Sequence, residues 1–251
     1  MLSRALFLAA RTARSQAYAQ AMASAGITPG HVLVCGTPSP AARAVASGRD
    51  GRRRTSDGLV LPDLSEPIEA TAAAAGWTTE SVAVTDVNDP RIAAHIADLR
   101  PSCIIYSGFG GQIVRDGVLS LGVPLLHAHS GWLPRYRGST TVYYSLLEAR
   151  ECAVSVLVMA REIDAGPVIA RAKYPMPSAG TDVDGAWDAA IRADLLVRTL
   201  REIERRGALP PALDVSDERA RTYYVVHPVL KHLALLSLPA DAGRDALEAA
   251  S

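Results

Sequence analysis

Six short apolar runs recur along the chain, and most are separated by enough residues to hold a helix. They are Ala5–Ala10, Val32–Cys35, Ser81–Val84, Cys103–Tyr106, Pro124–Ala128 and Ala153–Ala160. Short runs without polar alternation read as strands covered on both faces. Between them, Ser15–Ala25, Glu66–Gly76 and Pro90–Leu99 are rich in Ala, with apolar residues at helical spacing. Strand and helix in alternation predict an α/β fold: a Rossmann-like, mostly parallel sheet with helices on both faces.

The rhythm changes twice. From Ser39 to Leu64 there is no apolar period, and the run Gly48 to Arg54 carries four arginines, so this stretch reads as a long loop. Beyond Thr181 a long amphipathic helix is predicted from about Val183 to Arg206. Its apolar stripe is Trp187, Ile191, Leu195, Leu196, Leu200 and Ile203, and Gly207 with Pro210-Pro211 ends it. Thr222–Leu236 then predicts a short strand and a helix with Pro228 in its first turn, capped by His227. The organisation expected is one main domain over 1–206 and a short C-terminal appendage over 207–251, whose apolar content reads as covering a sheet edge or forming a homodimer contact.

Composition narrows the function classes. Hydrophobic residues make up 49% of 251, and 26 basic residues balance 26 acidic ones, so a nucleic-acid partner is not expected. No apolar run approaches a membrane span. Residues 1–49 contain arginines and no acidic residue, as a transit peptide does, but Ala5–Ala10 and the segments after it fit a βαβ unit, which favours a mature start. The three cysteines lack metal or disulfide spacing, and Cys35 and Cys103 sit in apolar runs, which fits a cytoplasmic location.

The candidate chemistry lies in two stretches, Leu125–Gly138 and Glu162–Ile169. His127 and His129 end an apolar run and, two apart on an extended segment, point to the same side. The C-terminal ends of such strands are where open parallel sheets place ligands. Asp164, before a Gly-Pro turn, supplies a carboxylate. Arg135 and Arg137, in the turn Leu133–Gly138, suit planar or anionic groups. Two histidines and a carboxylate are also a metal-ligand set, but the acid lies 35 residues beyond His129, and no metal is expected. Arg11, Arg14 and Ser15 stand at a helix N-terminus, a natural anion site.

Ser107–Val114, His127–Gly138 and Ile163–Ile169 together resemble the formyltetrahydrofolate-dependent formyltransferase family, in order and in spacing. The family includes glycinamide ribonucleotide, methionyl-tRNA and sugar-nucleotide N-formyltransferases. The resemblance implies an enzyme that transfers a one-carbon group, with 10-formyltetrahydrofolate as donor and no metal, and it makes 1–206 the catalytic domain. The family's Asn-x-His pair and Asp fall on His127, His129 and Asp164, so His127 stands where the family has Asn. The pterin is then expected against Phe109, Gly110, Gln112 and Ile113 and against Arg161 and Ile163.

The resemblance also implies the chemistry: an acceptor amine attacks the formyl carbon, and protonated His129, supported by Asp164, donates to the oxygen. His127 is expected to be the neutral partner that donates one hydrogen bond. The short tail and zero net charge argue against tRNA, and Ala10–Ser15 lacks the family's Gly-Ser phosphate loop. An anionic small-molecule amine such as a nucleotide-linked amino sugar is left, with Arg11, Arg14, Ser15, Arg135, Tyr136, Arg137 and Gly138 as its expected contacts. Altered one-carbon or acyl chemistry, or a folate-binding relative without catalysis, remain open alternatives.

Overall fold

The structure is a computed structural model that describes residues 1–37, 53–55, 58–216 and 218–240. Its elements in chain order are β1 (Leu6–Ala10), α1 (Ala13–Ser24), β2 (His31–Cys35), β3 (Arg53–Arg54), β4 (Val60–Leu61), α2 (Ile68–Ala74), β5 (Thr79–Val82), α3 (Pro90–Leu99), β6 (Ile104–Ser107), α4 (Asp116–Leu119) and β7 (Leu125–His129). There follow β8 (Arg137–Gly138), α5 (Thr141–Ala149), β9 (Cys152–Val158), β10 (Val168–Tyr174), α6 (Asp188–Arg206), β11 (Thr222–Tyr223) and α7 (Pro228–Leu236). A π-helical turn, Val183–Trp187, leads into α6. The loop expected over 39–64 lies largely outside the described residues; within them it holds the small β3–β4 hairpin.

Seven strands form one sheet in the order β10-β9-β7-β6-β1-β2-β5. The pairs from β5 to β7 are parallel, and β9 and β10 are antiparallel. The mostly parallel α/β sheet is therefore the one the apolar runs predict. Each run divides strictly by parity. Phe7, Ala9, Val32, Val34, Ile105, Leu126 and Ala128 face one core, with α1, α5 and α6. Leu6, Leu8, Leu33, Ile104, Tyr106 and Leu125 face the other, with α3 and α4. Burying a Leu or Ile fully contributes about 1.5–3 kcal/mol, so both faces hold the sheet in register.

Helix ends follow local chemistry. Thr12 accepts from the Ser15 backbone N–H and starts α1, and Asp89 does the same for Arg91 at α3, with Pro90 in the first turn. His227 Nδ1 accepts from the Val229 N–H and caps α7, as the sequence predicts. Gly207, at φ 70°, closes α6 in the left-handed conformation glycine adopts freely. The sequence reading passed over α5, whose start rests on tertiary contacts. All three cysteines are buried, and burial pushes the Cys35 and Cys152 thiols up to about 12. No helix among the described residues is long and apolar enough to cross a membrane.

Candidate active site

On β7, Leu125, His127 and His129 alternate onto the α3–α4 face while Leu126 and Ala128 turn inward to the other core. Leu125 is packed beneath α3 and α4, but the two imidazoles lie beyond it, at the strand's C-terminal end. Their ring centroids are 6.4 Å apart. One face therefore does carry both, as the i, i+2 spacing predicts.

Asp164 arrives from the loop between β9 and β10. Strand β9 lies beside β7 with Ser155 opposite His129, so the hairpin is anchored next to the histidines. The loop closes through the Val158 N–H, which donates to Pro167 O at 2.9 Å. Asp164 itself adopts φ 48°, a left-handed conformation that Asp tolerates better than bulkier residues. Its Oδ2 lies 3.4 Å from His129 Nδ1 and accepts the Gly138 N–H at 2.9 Å. The two side chains are 4% and 11% exposed, so this pairing is shielded from bulk water.

His129 is held from behind. Its Nε2 donates to Tyr136 O at 2.7 Å, and Thr141 Oγ1 stands 3.3 Å from the same nitrogen. Nδ1 is therefore the atom turned toward Asp164. Burial lowers the His129 pKa below its ordinary 6.5, although Asp164 pulls the other way, and Arg192 adds to the lowering. Desolvation thus outweighs the carboxylate and disfavours the protonated ring that the resemblance implies.

His127 is held well below 6.5 by burial and by the positive charges of Arg14 and Arg192. It is neutral, as expected. The ring is half-buried, and its Nδ1 is buried with no hydrogen-bond partner.

The sequence reading missed a polar girdle around this centre. Arg192 and Asp188, one turn apart on α6, pair at 2.8 Å. Arg192 donates to Ala128 O at 3.1 Å, and the Ser130 hydroxyl donates to Asp188. Two charged positions interrupting the inner side of a long amphipathic helix were the available signal. Thr141 and the Tyr136 carbonyl had none, because both act through loop geometry.

The formyl transferase family matches the chain over residues 32–185, which includes β7, both histidines and Asp164. The chain belongs to the formyl transferase family. A curated relative, methionyl-tRNA formyltransferase of Moorella thermoacetica, is 32% identical over 164 residues, covering 64% of this chain and 50% of the relative. The chain spans about half the length of such relatives. Among solved structures, a sugar N-formyltransferase from a Shewanella species is similar with a TM-score of 0.55 at 14% identity, covering 93% of this chain and 87% of that one. HypX from Aquifex aeolicus, solved in complex with tetrahydrofolic acid, is similar with a TM-score of 0.54 at 16% identity, covering 90% and 30%. Both are likenesses of fold.

A cleft of about 440 Å³ is walled by Leu119, Val123, Leu125, Val158, Met159 and Arg161 among others. Of the positions expected to hold a folate, Arg161 alone lines it, and His127, His129 and Asp164 are not among its walls. Ile113 and Ile163 stand at 57% and 46% exposed. Phe109 packs below Gly36, and Gly110 has open space around it. Gln112 is consumed within the protein, donating to Thr85 O and accepting from the Val87 N–H, so it shapes the loop instead of offering a free amide. Arg161 pairs with Asp116 at 2.9 Å.

The expected anion contacts separate. Arg14 is half-buried and donates to Ser107 Oγ and Gly108 O, and among the described residues no carboxylate pairs with it. Ser15 is tied to Ser107 at 2.7 Å. Arg11 is paired with Glu69, which cancels its charge and corrects its assignment as a free anion contact. Tyr136 is fully buried and stacks on Tyr223, so its side chain cannot meet a substrate and its carbonyl does the work instead. Arg135 lies over the Tyr136 ring and turns into a separate pocket shared with Glu148, Glu218 and Arg221. Arg137 is half-buried with an unpartnered Nε, and Gly138 serves through its N–H to Asp164.

Proposed function

We propose that the protein is an N-formyltransferase that moves a formyl group from 10-formyltetrahydrofolate to the amine of a small anionic acceptor, a nucleotide-linked amino sugar being the class that fits best. The observation that carries this reading is the shielded His129–Asp164 pair at the C-terminal end of β7. An apolar slot edged by a few polar groups suits a flat heterocycle, and tetrahydrofolate bound to HypX supports the same donor class. Leu119, Val123, Leu125 and Met159 would hold the pterin, with the Phe109–Ile113 and Arg161–Ile163 segments closing over it.

The donor supplies an activated formyl carbon. The chain's own groups then manage the amine. Tyr136 O fixes the His129 tautomer, so that Nδ1 is the basic nitrogen beside Asp164. Together they take up the proton an attacking amine must lose, a contribution of roughly 10²–10⁴ in rate. Gly138 N–H holds the Asp164 carboxylate in place through its Oδ2. Arg14, whose charge lacks a counter-ion, anchors the acceptor's anionic group, with the α1 N-terminus beside it.

The test is incubation with 10-formyltetrahydrofolate and a panel of amines that includes nucleotide-linked amino sugars, with mass spectrometry for a formylated product and calorimetry for folate binding. A formylated anionic amine supports the reading. Folate binding without product from any amine overturns catalysis and favours a binding relative. One observation favours a second reading: beside His129, at 6.4 Å between ring centroids, stands the imidazole of His127 and not a carboxamide, which points to altered one-carbon or acyl chemistry at the same site.

A further inference from the structure

His127, His129 and Asp164 each offer one ligand atom, and those atoms lie within 4.8 Å of one another. The sequence argument against a metal rested on the separation of Asp164 from the histidines, and the β9–β10 hairpin removes it. Two of the three are also braced. His129 Nε2 is spent on Tyr136 O at 2.7 Å, leaving Nδ1 inward, and Asp164 Oδ2 takes the Gly138 N–H. His127 Nδ1 is buried with no hydrogen-bond partner. An imidazole whose outer N–H is fixed by a backbone carbonyl, as at His129, has the outer-shell arrangement of a metal-ligating histidine.

We propose that His127, His129 and Asp164 bind a divalent transition-metal ion of the zinc or iron(II) class, leaving one or more coordination positions open to solvent or substrate. Two imidazoles and one carboxylate suit those ions and leave such a position. Zinc–ligand distances of about 2.0–2.2 Å place tetrahedral neighbours roughly 3.4 Å apart, and His129 Nδ1 to Asp164 Oδ2 is 3.4 Å. The remaining ligand separations, at most 4.8 Å, close by side-chain rotation of His127. Asp188 already neutralises Arg192, which leaves Arg14 as the unpaired positive neighbour among the described residues. The inference goes beyond the formyl-transfer reading and does not need it; in the metal-loaded chain His129 Nδ1 and Asp164 are ligands, so the proton uptake assigned to them above belongs to the metal-free chain.

The experiment is calorimetric titration of the chelator-stripped chain with ZnCl₂ and, separately, the visible spectrum of its Co²⁺ form. One equivalent of Zn²⁺ is expected, weakened at least 10-fold in H127N and in D164N, with circular dichroism confirming that both variants are folded. The Co²⁺ form of the unmodified chain should show d–d bands of a nitrogen–oxygen site. No stoichiometric binding, equal binding by a folded H127N, or a thiolate charge-transfer band would each overturn the proposal. The spectrum decides the matter even where a variant fails to fold. Neither readout uses folate or turnover, so loss of the formyl-transfer reading leaves this result standing, and the reverse.

Discussion

The Tyr136 carbonyl oxygen lies 2.7 Å from His129 Nε2, and that contact determines which nitrogen of the imidazole faces Asp164. A residue seven positions away, buried and contributing only its backbone, thus sets the tautomer of His129.

Gly131 protects this contact. A Cβ at 131 would sit 2.9 Å from Tyr136 O and 3.1 Å from His129 Nε2, closer than either can accept. G131A is expected to cost about 1–3 kcal/mol of stability from overpacking and to lower formyl transfer more than folate binding. Thermal unfolding and steady-state kinetics check this; unchanged kcat would remove Tyr136 O from the site.

Replacing Asp164 by Asn keeps the shape and can still accept the Gly138 N–H, but it removes the charge that raises the His129 pKa. D164N should lower kcat by roughly 10²–10⁴ with little change in melting temperature, and the His129 pKa should fall further. NMR titration of the His129 ring reads that shift directly. A His129 pKa unmoved by D164N would show that the two groups are not coupled.

Stability should depend on pH through the two imidazoles. Both have pKa values below the ordinary 6.5 in the fold, so above that pH both folded and unfolded chains hold them neutral and no contribution arises. Below about 6.5 the unfolded chain binds protons that the folded chain refuses, and stability falls by up to about 1.4 kcal/mol per pH unit for each group. The fall continues until the folded-state values are reached. Denaturant unfolding between neutral and mildly acidic pH should show this slope, and H127N should reduce it; an identical slope in H127N would assign the effect elsewhere.

Arg14 carries the anion assignment. R14Q removes a charge-assisted contact worth about 1.5–3 kcal/mol, so KM for an anionic acceptor should rise roughly 10–100-fold while folate affinity stays constant. An equal KM for the variant would move the anion elsewhere, with Arg137 the next group to examine.

Much of the fold was legible because apolar runs buried on both faces need no partner to be recognised: Leu6–Ala10 and His31–Cys35 read as strands from composition alone, and the α6 stripe from its period. Helix α5 was not, since Thr140 enters it in a left-handed conformation without a side-chain cap, and its apolar face matters only against α7 and β9. At the site, His127 and His129 were visible through their two-residue spacing on β7. Arg11 and Tyr136 looked available for a ligand because a sequence does not show that Glu69 or Tyr223 will meet them.

The local pattern by itself determined the strands, the helix faces and the side of β7 on which both imidazoles stand, because period and parity are properties of a covalent chain. Protonation, tautomer and the meeting of Asp164 with His129 were decided only by tertiary structure. Each depends on how far burial strips water from a group and on which backbone carbonyl the folded loops bring behind it, and those quantities exist only once distant segments are packed.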